Sequence, residues 1–425
     1  MLLWFFAFVG VAFLIGAAVN LFGSWGRRPP AYRVTEMPPV DSPDFLLSVA
    51  GGAGAPVRSG GTAKLLNNGV EIFPAILEAI RAAKKTVNFA AYIWEDGQVS
   101  DDIFDALTER ARAGVQVRVL LDGVGGLRAP EEGMAALRAA GGRIEPFRPP
   151  RFGKLTRFHK RNHRRALVMD GEVAFTGGVA VADKWLGDAE APDHWRDTMS
   201  CFTGPAASTI QTAFVSLWAP VAGELLSGPV FFPPRDGQSR AGDMSHVGIA
   251  SSPSSEDHPL RLFYLQSIFC ARQRLYITTP YFVPDETVRG AVASRARAGV
   301  DVRILLPNEH TDAKPIRLTS HRYYEELMAA GVRIYEYQPT MMHAKGMVVD
   351  GKWSVVGSAN MDIRSHELNQ ENVVGVLDAG FAEQMEAAFR GDLLRSREIQ
   401  PDQWRRRGTF VRLLERAAAL FSEQY

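Results

Sequence analysis

Apolar positions along this chain switch repeatedly between two periods. In VEIFPAILEAIRAAKK (70–85) they recur every three to four residues, the spacing of a helix with one buried face, and Pro74 falls near its first turn where proline is tolerated. TVNFAAYIW (86–94) is strand-like. DDIFDALTERARAG (101–114) returns to the helical period and is closed by Gly114, and VQVRVLLD (115–122) is a near-continuous apolar run, as in a strand buried on both faces. A helix over 131–140 and a strand over RIEPF (143–147) complete the series.

The same series returns later. RLYITTPYF (274–282) matches the first strand, VRGAVASRARAG (288–299) the helix, VDVRILLP (300–307) the buried strand and AAGVRIYEYQP (329–339) the stretch AAGGRIEPFRP (139–149). The offset is 185 residues at one helix end (299 − 114) and 190 at the next (331 − 141), so loops differ in length while the elements persist. This predicts an α/β fold of two tandem halves, each of ordinary domain size at roughly 170 residues. They are placed at 65–228 and 258–400, with the boundary inside the Pro-, Gly- and Ser-rich stretch 229–257.

The ends differ from this body. Residues 2–23, LLWFFAFVGVAFLIGAAVNLFG, carry one strongly polar side chain, Asn20. At ~1.5 Å per residue this run spans ~33 Å, enough to cross a hydrocarbon core of ~30 Å. A retained transmembrane anchor over 1–26 is expected rather than a cleaved signal, which would carry a basic region before a shorter apolar run. Arg27, Arg28 and Arg33 follow the run, which predicts a single-pass protein of the cell membrane with a cytoplasmic body. Residues 27–64 read as a linker. WRRRGTFVRLLERAAALF (404–421), within the final segment 401–425, has the spacing of an amphipathic helix that could pack on the body or lie in the bilayer interface.

Composition narrows the function. A net charge of +1 excludes the whole-protein basic field that nucleic-acid binders use. Cys201 and Cys270 form neither a disulfide framework nor a zinc cluster, and read as buried filler. No metal and no cofactor is called for by any residue spacing.

The chemistry lies in a repeated motif. Of nine histidines, only His163 and His343 have a basic residue at +2 and an aspartate at +7, namely Arg165 with Asp170 and Lys345 with Asp350. They stand 180 residues apart (343 − 163), one in each half, as expected of one site assembled from two parts. Residues two apart on a strand share a face, so each histidine is paired with its cation, while each aspartate has the opposite parity and precedes a glycine. Asp-Gly between apolar runs marks a tight hairpin, so Asp170 and Asp350 either hold that turn or touch the site. The return strand would bring Ser358 and Asn360 back beside His343. Imidazole, cation, hydroxyl and amide together suit a tetrahedral anion, with the imidazoles attacking phosphorus or moving a proton.

The pattern H-x-K-x4-D-x6-G-S-x-N over 343–360 resembles the phospholipase D superfamily, and the stretches ERARAGVQVRVLLDGVGG, TTPYFVPDE and NMDIRSHELN resemble its cardiolipin synthase branch. The resemblance covers roughly 65–400 and implies two phospholipase D-fold halves packed pseudo-symmetrically around one active site. It implies that one histidine forms a phosphohistidine while the other protonates the leaving alcohol and then deprotonates the acceptor. It also implies that an acidic residue after each motif orients its histidine, which fits Asp197 in the first half and Glu371 in the second. Ser358, Asn360 and Gly178 fall at the phosphate-binding positions. The first motif departs from the pattern, with Arg165 for Lys, Gly178 for Ser and Ala180 for Asn, so a first half that only shapes the site stays open.

The implied activity is transfer of a phosphatidyl group from one phosphatidylglycerol to another, making cardiolipin at the membrane. The alternatives are a hydrolase releasing phosphatidic acid, a nuclease of the same superfamily, and a non-catalytic lipid-binding protein. RPPRFGKLTRFHKRNHRR (148–165), with eight Lys or Arg and no acid, reads either as a solvated loop or as a collar for anionic headgroups.

Overall fold

The computed structural model describes residues 31–150, 160–234, 244–253 and 258–408, together with 412, 414 and 415. The expected anchor over 1–26 lies outside the described residues, as do 151–159 of the basic stretch and most of the tail. Among the described residues no helix is long and apolar enough to cross a membrane.

Two mixed sheets carry the two halves. The first runs Thr62–Asn67, Thr198–Thr203, Val173–Gly177, Ala166–Met169, Thr86–Ala91, Gln116–Asp122, Arg143–Phe147 from edge to edge. The second repeats that order as Ser245–Ser251, Glu371–Leu377, Trp353–Gly357, Gly346–Val349, Arg274–Thr278, Asp301–Pro307, Arg333–Tyr337. It gains one short strand at each edge, Val57–Ser59 and Ser396–Glu398. The apolar runs at 115–122 and 300–307 are central parallel strands with helices over them, which is why they lack alternation. The predicted helices form at Asn68–Ala82, Gln98–Arg112 and Glu286–Arg297, within a few residues of their expected ends.

The halves share a core. Helix Pro205–Ala222 and helix Ala379–Leu394 lie between the sheets, so that Phe202, Phe214 and Trp218 of the first half join one apolar cluster with Val348, Val374 and Phe381 of the second. Burial of this seam fixes the two motifs against each other.

The stretch expected to be a linker is structured. Helix Phe45–Ala53 buries Phe45 and Val49 in the core of the second half, Phe45 meeting the Trp353 ring edge-on at 5.1 Å. Val57–Ser59 then pairs with Ser245–Ser251 before the chain crosses to the first sheet. Its Pro, Gly and Ser content marks turns between short elements, which composition alone does not separate from a flexible tether.

Two readings left open by the sequence are narrowed. In the described part of the basic stretch Arg161, Arg164 and Arg165 are buried rather than solvated, Arg161 holding Asp122 and Arg164 the backbone of Ala213, Ser251 and Glu371. The described part of the tail packs on the body. Trp404 stacks on Tyr324 at 4.8 Å, and buried Glu415 accepts from Arg407 at 2.9 Å.

Candidate active site

Each motif histidine precedes the first strand of a hairpin, Ala166–Met169 with Val173–Gly177 or Gly346–Val349 with Trp353–Gly357. The turns between these strands are made by Asp170-Gly171 and Asp350-Gly351, all four residues at positive φ (55°, 69°, 53° and 66°). The aspartate carboxylates point along the sheet, away from the histidines. Asp170 accepts from the backbone amides of Lys84, Lys85 and Thr86 at 2.7–2.8 Å. Asp350 accepts from those of Arg272, Gln273 and Arg274 at 2.8–2.9 Å. Their assignment as catalytic is therefore corrected: each locks its hairpin to the start of the neighbouring central strand.

The pairing of histidines with acids crosses between halves. His163 Nδ1 lies 2.8 Å from Glu371 Oε1, and His343 Nδ1 lies 2.7 Å from Asp197 Oδ2. The backbone sets this arrangement. His163 N donates to the Gln370 carbonyl at 2.9 Å, and His343 N to the Arg196 carbonyl at 2.7 Å, so each histidine is registered against the residue just before its acid. The expected in-half pairing is thus replaced by an exchange: Asp197 of the first half serves His343, and Glu371 of the second serves His163. Among the described residues neither motif histidine meets a carboxylate of its own half.

The cations behave alike in both halves. Arg165 Nη1 donates to the His163 carbonyl and Lys345 Nζ to the His343 carbonyl, both at 2.8 Å, and Lys345 Nζ lies 3.2–3.3 Å from the His343 ring nitrogens. Burial, reinforced by Arg165 and Lys345, holds the His163 imidazolium well below its ordinary range. Burial, reinforced by Lys345, brings His343 down to about 4. Burial also lowers Lys345 to about 7 and raises Glu371 to about 7. Both imidazoles are therefore neutral in the empty site. With Nδ1 engaged by a carboxylate, Nε2 is the nitrogen left for chemistry.

Three expected phosphate contacts fall differently. Ser358 is fully buried and donates to Glu371 Oε2, so it secures the acid rather than a ligand. At Gly178, a Cβ would lie 2.2 Å from Asp197 Oδ1, so the first half has no room for the serine. There Trp185 Nε1 takes its place, donating to Asp197 Oδ2 at 2.9 Å, while Thr198 N holds Oδ1 at 2.7 Å. The apparent loss at 178 is an exchange of one donor for another. Asn360 does reach the site, its Oδ1 buried without a hydrogen-bond partner among the described residues, whereas Ala180 lies in the apolar core of the first half.

A cleft of about 380 Å³ opens over both histidines, lined also by Arg165, Arg364 and Asn360. Its other polar residues are Asp312, Asp362 and Asn369, and its aromatic walls are Tyr92, Trp195 and Tyr281. Sequence reading missed Asp312, Asp362, Arg364 and Tyr92. Tyr92 was detectable, because it leaves the end of Thr86–Ala91 much as Tyr281 leaves Arg274–Thr278. Among the described residues no group of three or more His, Cys, Asp or Glu is placed to hold a metal ion.

A family model described as "Cardiolipin synthase, PLD-like domain" matches residues 76–217 and 264–393, once in each half. Cardiolipin synthase 2 of Bacillus anthracis is 34% identical over 364 residues, covering 84% of this chain and 70% of the relative. Cardiolipin synthase A of Pseudomonas fluorescens is 36% identical over 360 residues, covering 84% and 74%. The crystal structure of phosphatidylserine synthase from Haemophilus influenzae has the same fold, with a TM-score of 0.69 at 14% identity over 89% of this chain and 99% of that one. On the doubled motif, the shared fold and identity sustained across both halves, this chain belongs to the cardiolipin synthases of the phospholipase D superfamily.

Proposed function

We propose that this enzyme joins two phosphatidylglycerol molecules into cardiolipin, releasing glycerol, by way of a phosphatidyl-histidine. The observation that carries the mechanism is the exchange of acids between halves, which gives one cleft two carboxylate-held imidazoles, each beside a buried cation. One Nε2 attacks the phosphodiester phosphorus and the bond to the headgroup glycerol breaks, that oxygen taking a proton from the second imidazole. A hydroxyl of the second phosphatidylglycerol then loses its proton to that same imidazole and attacks phosphorus, breaking the P–N bond. Arg165, Lys345 and Asn360 neutralise and orient the phosphoryl oxygens. Arrival of the anionic phosphodiester offsets the cations that hold the imidazoles neutral, which lets one of them carry the proton the leaving group needs.

The apolar run 2–23 supports a membrane anchor, and the arginines after it support a cytoplasmic body. An anchored body would hold the cleft at the surface that contains both lipid substrates. Mass spectrometry of lipids from a cardiolipin-deficient host tests the proposal. Cardiolipin is expected with the wild type and absent with His163→Ala and His343→Ala, each of which is expected to lose at least ~10³-fold in rate. A wild type yielding phosphatidic acid alone, with phosphatidylglycerol in excess, would refute it in favour of a hydrolase.

A further inference from the structure

The cleft serves a phosphate, yet it presents a solvent-facing carboxylate. Asp362 is not that group: it is 2% exposed and its carboxylate caps helix Ile363–Glu367 by accepting from Ser365 N. Asp312 is exposed, and its one hydrogen-bond partner among the described residues is the Tyr281 hydroxyl, which donates to its two oxygens at 2.8 and 2.9 Å. The Tyr281 ring in turn stands 6.5 Å from the His343 ring. A carboxylate offers about four lone-pair sites, so this contact leaves acceptor capacity turned toward the cleft.

Such a group repels a phosphodiester and attracts a donor. An ammonium would enter a cleft already holding Arg165 and Arg364, with Lys345 behind His343, whereas a neutral polyol meets no such opposition. The polyol in the proposed reaction is glycerol, first as leaving group and then, still esterified, as acceptor headgroup. Both occupy the position opposite the attacking imidazole, because the second step reverses the geometry of the first.

We infer that Asp312, held by Tyr281, forms a subsite for the vicinal hydroxyls of a glycerol headgroup and selects polyol acceptors over simple alcohols. This rests on the phosphatidyl-transfer reading. The carboxylate accepts hydrogen bonds from hydroxyls that a simple alcohol lacks, and Tyr281 fixes the carboxylate's orientation beside His343. Specificity of this kind is strong when the site is built to pair a hydroxyl, because the analogue without it leaves a polar group unmatched.

The test uses full-length enzyme in detergent micelles with the p-nitrophenyl ester of phosphatidic acid as donor. Release of p-nitrophenol reports phosphatidyl transfer to the enzyme, while glycerol, 1-propanol and ethanolamine compete as acceptors and their lipid products are counted by mass spectrometry. The glycerol-to-propanol product ratio, which is independent of how much enzyme is active, is expected to favour glycerol in the wild type. It is expected to fall at least about tenfold in Asp312→Asn and severalfold in Tyr281→Phe. A ratio changed less than twofold in both variants overturns the subsite alone. So does an ethanolamine-to-propanol ratio that falls further than the glycerol ratio, which would mark an ammonium site. A wild type that releases no p-nitrophenol overturns the phosphatidyl-transfer reading and the subsite with it.

Discussion

Replacing Trp185 by Phe removes one N–H from a buried carboxylate and leaves an aromatic ring beside His343. The indole nitrogen stands 2.9 Å from Asp197 Oδ2, the oxygen that also meets His343 Nδ1, and Trp185 is 1% exposed, so no water replaces the lost donor. A hydrogen bond to a charged group contributes about 1.5–3 kcal/mol. If half or more of that bears on the transition state, kcat/KM falls by roughly 4- to 150-fold, at about 1.4 kcal/mol per tenfold. The loss should appear in folded enzyme, so kcat/KM for phosphatidylglycerol in micelles is measured beside the thermal midpoint. Ser358→Ala performs the same removal on Glu371 in the other half and should cost a similar factor. A Trp185→Phe enzyme within twofold of wild type, with Ser358→Ala impaired, would show that the indole does not do for Asp197 what the serine does for Glu371.

Restoring the family serine by Gly178→Ser should damage rather than improve the enzyme, because its Cβ would fall 2.2 Å from Asp197 Oδ1; at least about a tenfold loss of kcat/KM is expected from displacing the acid. Asp350→Ala should act on stability, unmatching three backbone amides for a cost of at least about 2 kcal/mol in denaturant unfolding, while folded enzyme retains its turnover. Because burial lowers Lys345 to about 7, the empty site loses this cation as pH rises through that value, and binding the phosphodiester must restore the proton. KM should therefore climb between pH 7 and 9, by up to about tenfold per unit, and Lys345→Arg should flatten the climb. Buried His343 contributes stability that is lost as pH falls from 6.5 to about 4, because the unfolded imidazole takes up a proton there that the folded one refuses. Glu371, raised to about 7, acts in the opposite sense, so urea titrations at several pH values should show wild type losing more stability than His343→Ala as pH falls through that window.

Much of this protein is local. The periods at 101–122 and 288–307 determined helix, strand and their repetition, since a helix face or a doubly buried strand is a property of neighbouring residues. Spacing alone determined the chemical inventory of His163 with Arg165 and His343 with Lys345, and the Asp-Gly turns after them. Parity set Asp170 and Asp350 apart from the histidines but left open whether they touch the site, which their amide-bound carboxylates decide in favour of the turn.

What the tertiary structure decided was partnership. Glu371 and Asp197 each follow the motif of their own half, and no periodicity shows that the backbone contacts at Gln370 and Arg196 carry them to the other half's histidine. Trp185 becomes a donor to Asp197 only because Gly178 lets the acid approach, a matter of 2.2 Å between residues 19 positions apart (197 − 178). The stretch 31–62 has the composition of a tether but is ordered by the second half's core, which lies some 200 residues further along the chain. Local sequence specifies which groups exist and on which face. Which of them meet depends on how the shared apolar seam registers one half against the other, and that free energy is spread over the whole interface rather than written in any motif.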